Sequence, residues 1–152
     1  CASGDKDALR LAWLFMFTYP GAPCVYYGDE IGIDGEHDPY CRKSFPWEES
    51  KWDKNLRSYV KELITLRRQI PAFRRGDYGR LWSANGIYAF SRGLDGKKYT
   101  IALNASDSPQ QAGVTFERQE TPKALFGQPG DISVSDGRLH FTIPPRSGVI
   151  LG

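Results

Sequence analysis

Apolar and polar positions along the chain fall into three regimes. Residues Asp5 to Thr18, DKDALRLAWLFMFT, contain no Gly or Pro, follow a Ser3-Gly4-Asp5 capping sequence and stop at Pro20-Gly21, which predicts a helix. Its second half, WLFMF, is apolar on every side, so two or three neighbouring elements must cover it. Ala22 to Tyr27 (APCVYY) is a short apolar run between turn residues, the pattern of a buried strand. Asn55 to Ile70 then places Leu56, Tyr59, Val60, Leu63, Ile64 and Ile70 at helical spacing, with Arg67 and Arg68 near the negative C-terminal end and Pro71 as the stop.

Between these elements, Ile31 to Lys54 (IGIDGEHDPYCRKSFPWEESKWDK) has no sustained period of 2 or 3.6. It is too aromatic for disorder and too long for a plain connection, so it reads as an ordered functional loop. After Phe73 the pattern changes to alternation. Asn85-Gly86, Asp95-Gly96 and Asp136-Gly137 are hairpin-turn dipeptides beside segments such as IYAFSR, KYTIALN and RLHFTI, and the last strand is expected at Gly148 to Leu151. Helix, strand, helix is α/β order, and an all-β antiparallel domain follows it. The break near Ala72 to Tyr78 divides the chain into residues 1–72 and 73–152.

Composition removes several functions without naming one. Hydrophobic residues make up 40% and charged residues 25% of the 152, in the ordinary globular range. Twenty basic against eighteen acidic residues are interspersed and leave a net charge of +2, so neither a nucleic-acid nor a membrane partner is expected. The longest apolar run, Leu11 to Phe17, is far below the roughly 18 residues of a membrane span. Cys1, Cys24 and Cys41 form no CxxC and have no His at zinc spacing, so they read as plain buried thiols in a reduced, cytoplasm-like compartment. Neither a metal nor a cofactor is expected. A chain starting with Cys1 rather than Met reads as part of a longer protein. A lipid-anchored terminus is disfavoured, because a polar tether would separate the anchor from the first helix.

Candidate chemistry concentrates in the long loop. In an α/β barrel the loops after the C-terminal ends of strands carry the functional side chains, and this loop stands in such a position. Carboxylates and a guanidinium can hold paired sugar hydroxyls, and aromatic rings can cover the apolar faces of pyranoses. By that logic Asp38 and Arg42 are candidates, with Tyr40, Phe45 and Trp47 nearby. The alternative stays open at this point: Asp38 and Arg42 could simply pair to brace the loop, and the aromatics could simply pack. Glycoside hydrolysis within the chain is not expected. A retaining enzyme needs two facing carboxyls about 5 Å apart, whereas Asp29 and Glu30 are adjacent and Glu36 and Asp38 share one loop with no opposing wall. No GxSxG, P-loop or GxGxxG occurs, and His37 and His140 stand alone.

Gly21, Pro23, Tyr26, Tyr27, Gly28 and Glu30 in GAPCVYYGDEIG resemble the last barrel strand and following turn of the α-amylase family, glycoside hydrolase family 13. HDPYCRKSFPW, with Asp38-Pro39 and Arg42, resembles a segment of its neopullulanase and cyclomaltodextrinase members. LRRQIPAFRRGDY and PPRSGVIL resemble the eighth barrel helix and the C-terminal β domain. Few motif residues fall between Gln110 and Gly137.

The resemblance implies a fold: the last helix, strand and helix of a TIM barrel, then an antiparallel β-sandwich. It also implies a parent that is a retaining hydrolase or transglycosylase acting on α-1,4, and optionally α-1,6, glucosidic bonds. Asp38 and Arg42 would bind an α-glucan or maltooligosaccharide. The family's three catalytic carboxylates have no counterpart here, since no Asn-His-Asp motif occurs, so no residue of this chain is expected to be catalytic and the chain alone is expected to be inactive. Without the rest of a barrel, part of the WLFMF surface should be exposed and drive self-association or rearrangement. The rival reading is a non-catalytic carbohydrate-binding or scaffold module made of the β domain.

Overall fold

Asp5 opens the first helix by capping it: its carboxylate accepts the N–H groups of Asp7 and Ala8 at 3.1 and 3.0 Å. In the computed structural model, which describes residues 4–35 and 37–152, this helix, α1, spans Lys6–Thr18. Cys1, Ser3 and Glu36, each weighed in the sequence, lie outside the described residues. The second helix, α2, spans Lys54–Gln69 and is capped in the same way, with Asp53 accepting from Leu56 N–H at 2.9 Å. It buries Leu56, Val60 and Leu63 against α1. A single turn, α3 (Ala72–Arg75), leads into the strands.

Eight strands follow: β1 (Asp77–Ala84), β2 (Ile87–Leu94), β3 (Lys97–Asn104), β4 (Gln110–Thr115), β5 (Ala124–Phe126), β6 (Gly130–Ser135), β7 (Arg138–Ile143) and β8 (Ser147–Leu151). They form a five-stranded sheet in the order β1-β2-β3-β8-β5 and a three-stranded sheet in the order β4-β7-β6, with every pairing antiparallel. The three hairpin dipeptides behave as their composition requires. Asn85-Gly86, Asp95-Gly96 and Asp136-Gly137 all have positive φ at both positions, matching the twist of the flanking strands.

The central strands do not alternate apolar with polar, because both faces of the larger sheet are covered. Ala89, Ala102, Val149 and Leu151 point toward the smaller sheet and pack with Val114, Leu139, Phe141 and Ile143. Their neighbours Phe90, Ile101, Leu103 and Ile150 point the other way and pack with Leu14, Phe17, Leu63 and Phe73. Period 2 therefore sorts one strand into two cores. The layer contact is close: a Cβ on Gly148 would lie 2.3 Å from a methyl carbon of Leu14, so any side chain there would push α1 off the sheet.

The structure corrects two expectations. Ala22 to Tyr27 is extended but is not a paired strand, and it is not buried: Val25, Tyr26 and Tyr27 are 40%, 52% and 44% exposed. A buried parallel strand needs ladder partners on both sides, and the described residues supply none. Cys24 and Cys41 are exposed free thiols rather than buried ones, for the same reason: both lie on this uncovered side. In the WLFMF helix, Trp13, Leu14 and Phe17 are buried by α2 and the sheet, while Phe15 is 36% exposed and Met16 half-buried, so part of that apolar surface is indeed uncovered.

Candidate functional site

The segment from Gly21 to Asp53 is held at both ends by charged side chains of the helices. At its start, Arg67 of α2 reaches across to donate to the carbonyls of Phe17 (2.6 Å), Tyr19 (3.4 Å) and Gly21. Arg67 was legible only as a helix-end charge, yet it caps the C-terminus of α1 and fixes where the extended segment departs. Burial, and then the nearby Arg74, push its guanidinium pKa below the ordinary arginine value. At the far end, Asp53 caps α2 and takes a 2.8 Å ion pair from Lys6 on α1. Lys6 first, and the Leu56 N–H second, hold the Asp53 carboxyl below the usual carboxylate range.

Gly28 to Gly32 makes the turn out of the extended segment. Gly28 adopts φ 91° and is followed by a 3-10 turn, Asp29–Ile31. Glu30 folds back to accept the Gly28 N–H at 2.8 Å, a structural use of this carboxylate. Asp29 faces a cleft of about 900 Å³ between the N-terminal ends of α1 and α2. Burial, and then its neighbour Glu30, raise the Asp29 carboxyl above the usual range. Asp5 and Asp53 also line this cleft, and both are already engaged as helix caps.

Asp38 and Arg42 are brought together. Arg42 Nε lies 2.7 Å from Asp38 Oδ1, on a turn closed by Tyr40 N–H to His37 carbonyl (2.8 Å) and Arg42 N–H to Pro39 carbonyl (3.0 Å). Both side chains remain about two-thirds exposed, at 63% for Asp38 and 69% for Arg42. Cys41 Sγ stands 3.8 Å from the same Asp38 oxygen. The Tyr27 hydroxyl donates to the Lys43 carbonyl at 3.0 Å and ties this turn to the extended segment. The remaining carboxylate lone pairs and guanidinium N–H groups face water, which suits exchange with the hydroxyls of a ligand.

The loop aromatics divide. Phe45 and Trp52 are half-buried and pack edge to face at 5.9 Å, and the Trp52 indole N–H donates to the Pro46 carbonyl at 2.6 Å. Arg57 of α2 stacks over Trp52 at 4.9 Å. Tyr40 and Trp47 are instead exposed, at 68% and 83%. Spacing alone could not separate these two groups, because the packing partners come from α2 and from the loop's own path. His37 is exposed and His140 half-buried in β7, and among the described residues no group of His, Cys, Asp and Glu is placed to hold a metal ion.

No family model matches the chain. Cyclomaltodextrinase from Thermoanaerobacter pseudethanolicus is 37% identical over 150 residues, 99% of this chain and 25% of that protein. Neopullulanase 2 from Thermoactinomyces vulgaris is 35% identical over 97% of this chain and 26% of its own length. The solved debranching enzyme of Nostoc punctiforme superposes with a TM-score of 0.91 at 38% identity, covering 99% of this chain and 32% of that one. The chain thus spans about a quarter of the length of these two curated relatives.

Proposed function

Because the chain belongs to the α-amylase family, glycoside hydrolase family 13, we propose that it is the substrate-holding end of a retaining α-glucan hydrolase or transglycosylase. In this reading residues 1–72 are the last helix, strand and helix of a barrel, and residues 73–152 its β domain. Ala22 to Tyr27 lacks ladder partners here because its neighbours are strands outside these residues. The names of the relatives, a cyclomaltodextrinase and a neopullulanase, support α-1,4-linked glucans as the substrate class, with α-1,6 links as an option.

One observation carries the site assignment: Asp38 and Arg42 meet at 2.7 Å on an exposed turn that follows the extended segment. Between them they offer acceptors and donors to adjacent hydroxyls of one glucose unit, a recognition that charge-assisted hydrogen bonds perform well. Chemistry belongs to carboxylates elsewhere in the parent, through a covalent glycosyl intermediate. The chain alone binds and does not cleave.

Titration of the chain with maltoheptaose, followed by backbone NMR, tests this. Shifts centred on Asp38 to Arg42, lost in Arg42→Ala, are the expected result. Saturable shifts confined to Tyr78 to Gly152 would favour the rival, a carbohydrate-binding β module. The exposed Val25, Tyr26 and Tyr27 further support self-association of the isolated chain. Sedimentation velocity is expected to show concentration-dependent oligomers, and a monomer at every concentration would refute that part.

A further inference from the structure

Trp47 is the most exposed of the large apolar side chains among the described residues, at 83%, yet it is not loose. Its ring meets Phe45 edge to face at 5.0 Å, Phe45 meets Trp52 at 5.9 Å, and Trp52 is pinned by its bond to the Pro46 carbonyl and by Arg57 stacked upon it. The three rings form an edge-to-face chain whose inner end, Trp52, rests on Arg57 of α2, with the outermost ring in water. The residues around it argue against a protein partner. Lys43, Ser44, Glu48 and Glu49 are all exposed, so Trp47 is an isolated ring in a polar field rather than part of a contiguous apolar patch.

The geometry points to Trp47 as a stacking platform for a pyranose ring of an α-glucan, an additional binding position beside the Asp38–Arg42 pair. The inference rests on the reading of that pair as a sugar-binding site. A pyranose carries an apolar C–H face and a rim of hydroxyls. The indole face takes the first, which desolvates two apolar surfaces at once, and an ion pair takes the second. A ring already held by Phe45 loses little freedom on binding, so most of the gain from contact appears as affinity. Trp47 follows Arg42 by five residues, a reach of at most about 18 Å when fully extended. An oligosaccharide of a few glucose units can engage both.

Maltoheptaose titration of the full chain, read by tryptophan fluorescence and NMR, separates the two ideas. Trp47→Ala is expected to weaken binding about tenfold, near 1.4 kcal/mol, and Trp47→Phe to retain most of the affinity. Because the side chain is exposed, far-UV circular dichroism should be unchanged in both variants. Unaltered affinity in Trp47→Ala, with binding lost in Arg42→Ala, overturns the platform and leaves the proposed function standing. Weakened binding in Trp47→Ala with full affinity in Arg42→Ala keeps the platform and removes the ion pair from the site. Absence of binding by the unaltered chain overturns both.

Discussion

Two arginines in this molecule meet opposite fates. Arg42 is 69% exposed and pairs with Asp38 through one nitrogen, leaving its other donors in water. Arg92 on β2 is 1% exposed and has no carboxylate partner among the described residues. Its guanidinium donates to the carbonyls of Thr18 (2.6 Å), Phe73 (3.1 Å) and Gly76 (2.9 Å). Burial, and then the nearby Arg67, push its pKa down from the ordinary value. The first arginine has unspent hydrogen-bonding capacity for a ligand. The second uses its capacity to join the C-terminal end of α1, the α3 turn and the sheet, so that three elements from both halves of the chain share one rigid junction. The loop can therefore carry an exposed, exchangeable site because the frame beneath it is fixed from inside.

That contrast can be broken most severely at Arg92. Arg92→Met conserves apolar volume but removes the donor from the buried carbonyls of Thr18 and Phe73 and from the part-buried carbonyls of Asp77 and Gly76, so a loss of about 3 kcal/mol in unfolding free energy is expected. Urea denaturation measures it, and a midpoint within error of the unaltered chain would mean that the junction is held by apolar packing alone. A middle effect is expected at Asp53, where the loop rejoins α2. Asp53→Ala should cost about 1 kcal/mol near neutral pH through loss of the cap. The sign with pH follows from the lowered carboxyl: its contribution is complete above the unfolded value of about 3.9 and disappears as pH falls through the lower folded value. Thermal melts from pH 7 to pH 2 should show the gap between the two proteins closing, and a constant gap would remove the Lys6 pairing from the account. The smallest effect on stability belongs to Arg42. An exposed ion pair contributes little, so Arg42→Ala should unfold within about 0.5 kcal/mol of the unaltered chain while losing maltoheptaose binding. A large stability loss there would make Asp38–Arg42 a brace instead of a binding pair.

Local chemistry made much of this legible. The α1 start follows from Asp5 and the α2 stop from Pro71, and the hairpins from Asn85-Gly86, Asp95-Gly96 and Asp136-Gly137, because caps and primed turns are decided by residues adjacent in sequence. The meeting of Asp38 and Arg42 was likewise in reach of one turn. What the pattern misjudged depends on distant partners. APCVYY has the composition of a buried strand, yet a strand exists only where another backbone pairs with it, and Cys24, Val25 and Tyr26 stay exposed with it.

The sequence by itself therefore determined the two long helices, the hairpins, the family resemblance and the place of the candidate loop, since those rest on periodicity, turn dipeptides and motif residues a few positions apart. Only the tertiary structure decided which charges are buried and which are free. It set Arg67 and Arg92 against helix-end carbonyls many residues away and left Arg42 in water. It also divided Phe45 and Trp52 from Trp47, because Arg57 of α2 covers Trp52 and Phe45 lies between the two tryptophans, while Trp47 touches Phe45 alone among these and stays 83% exposed. Burial is a property of what lies opposite a side chain, and along most of this chain the residue opposite is remote in sequence.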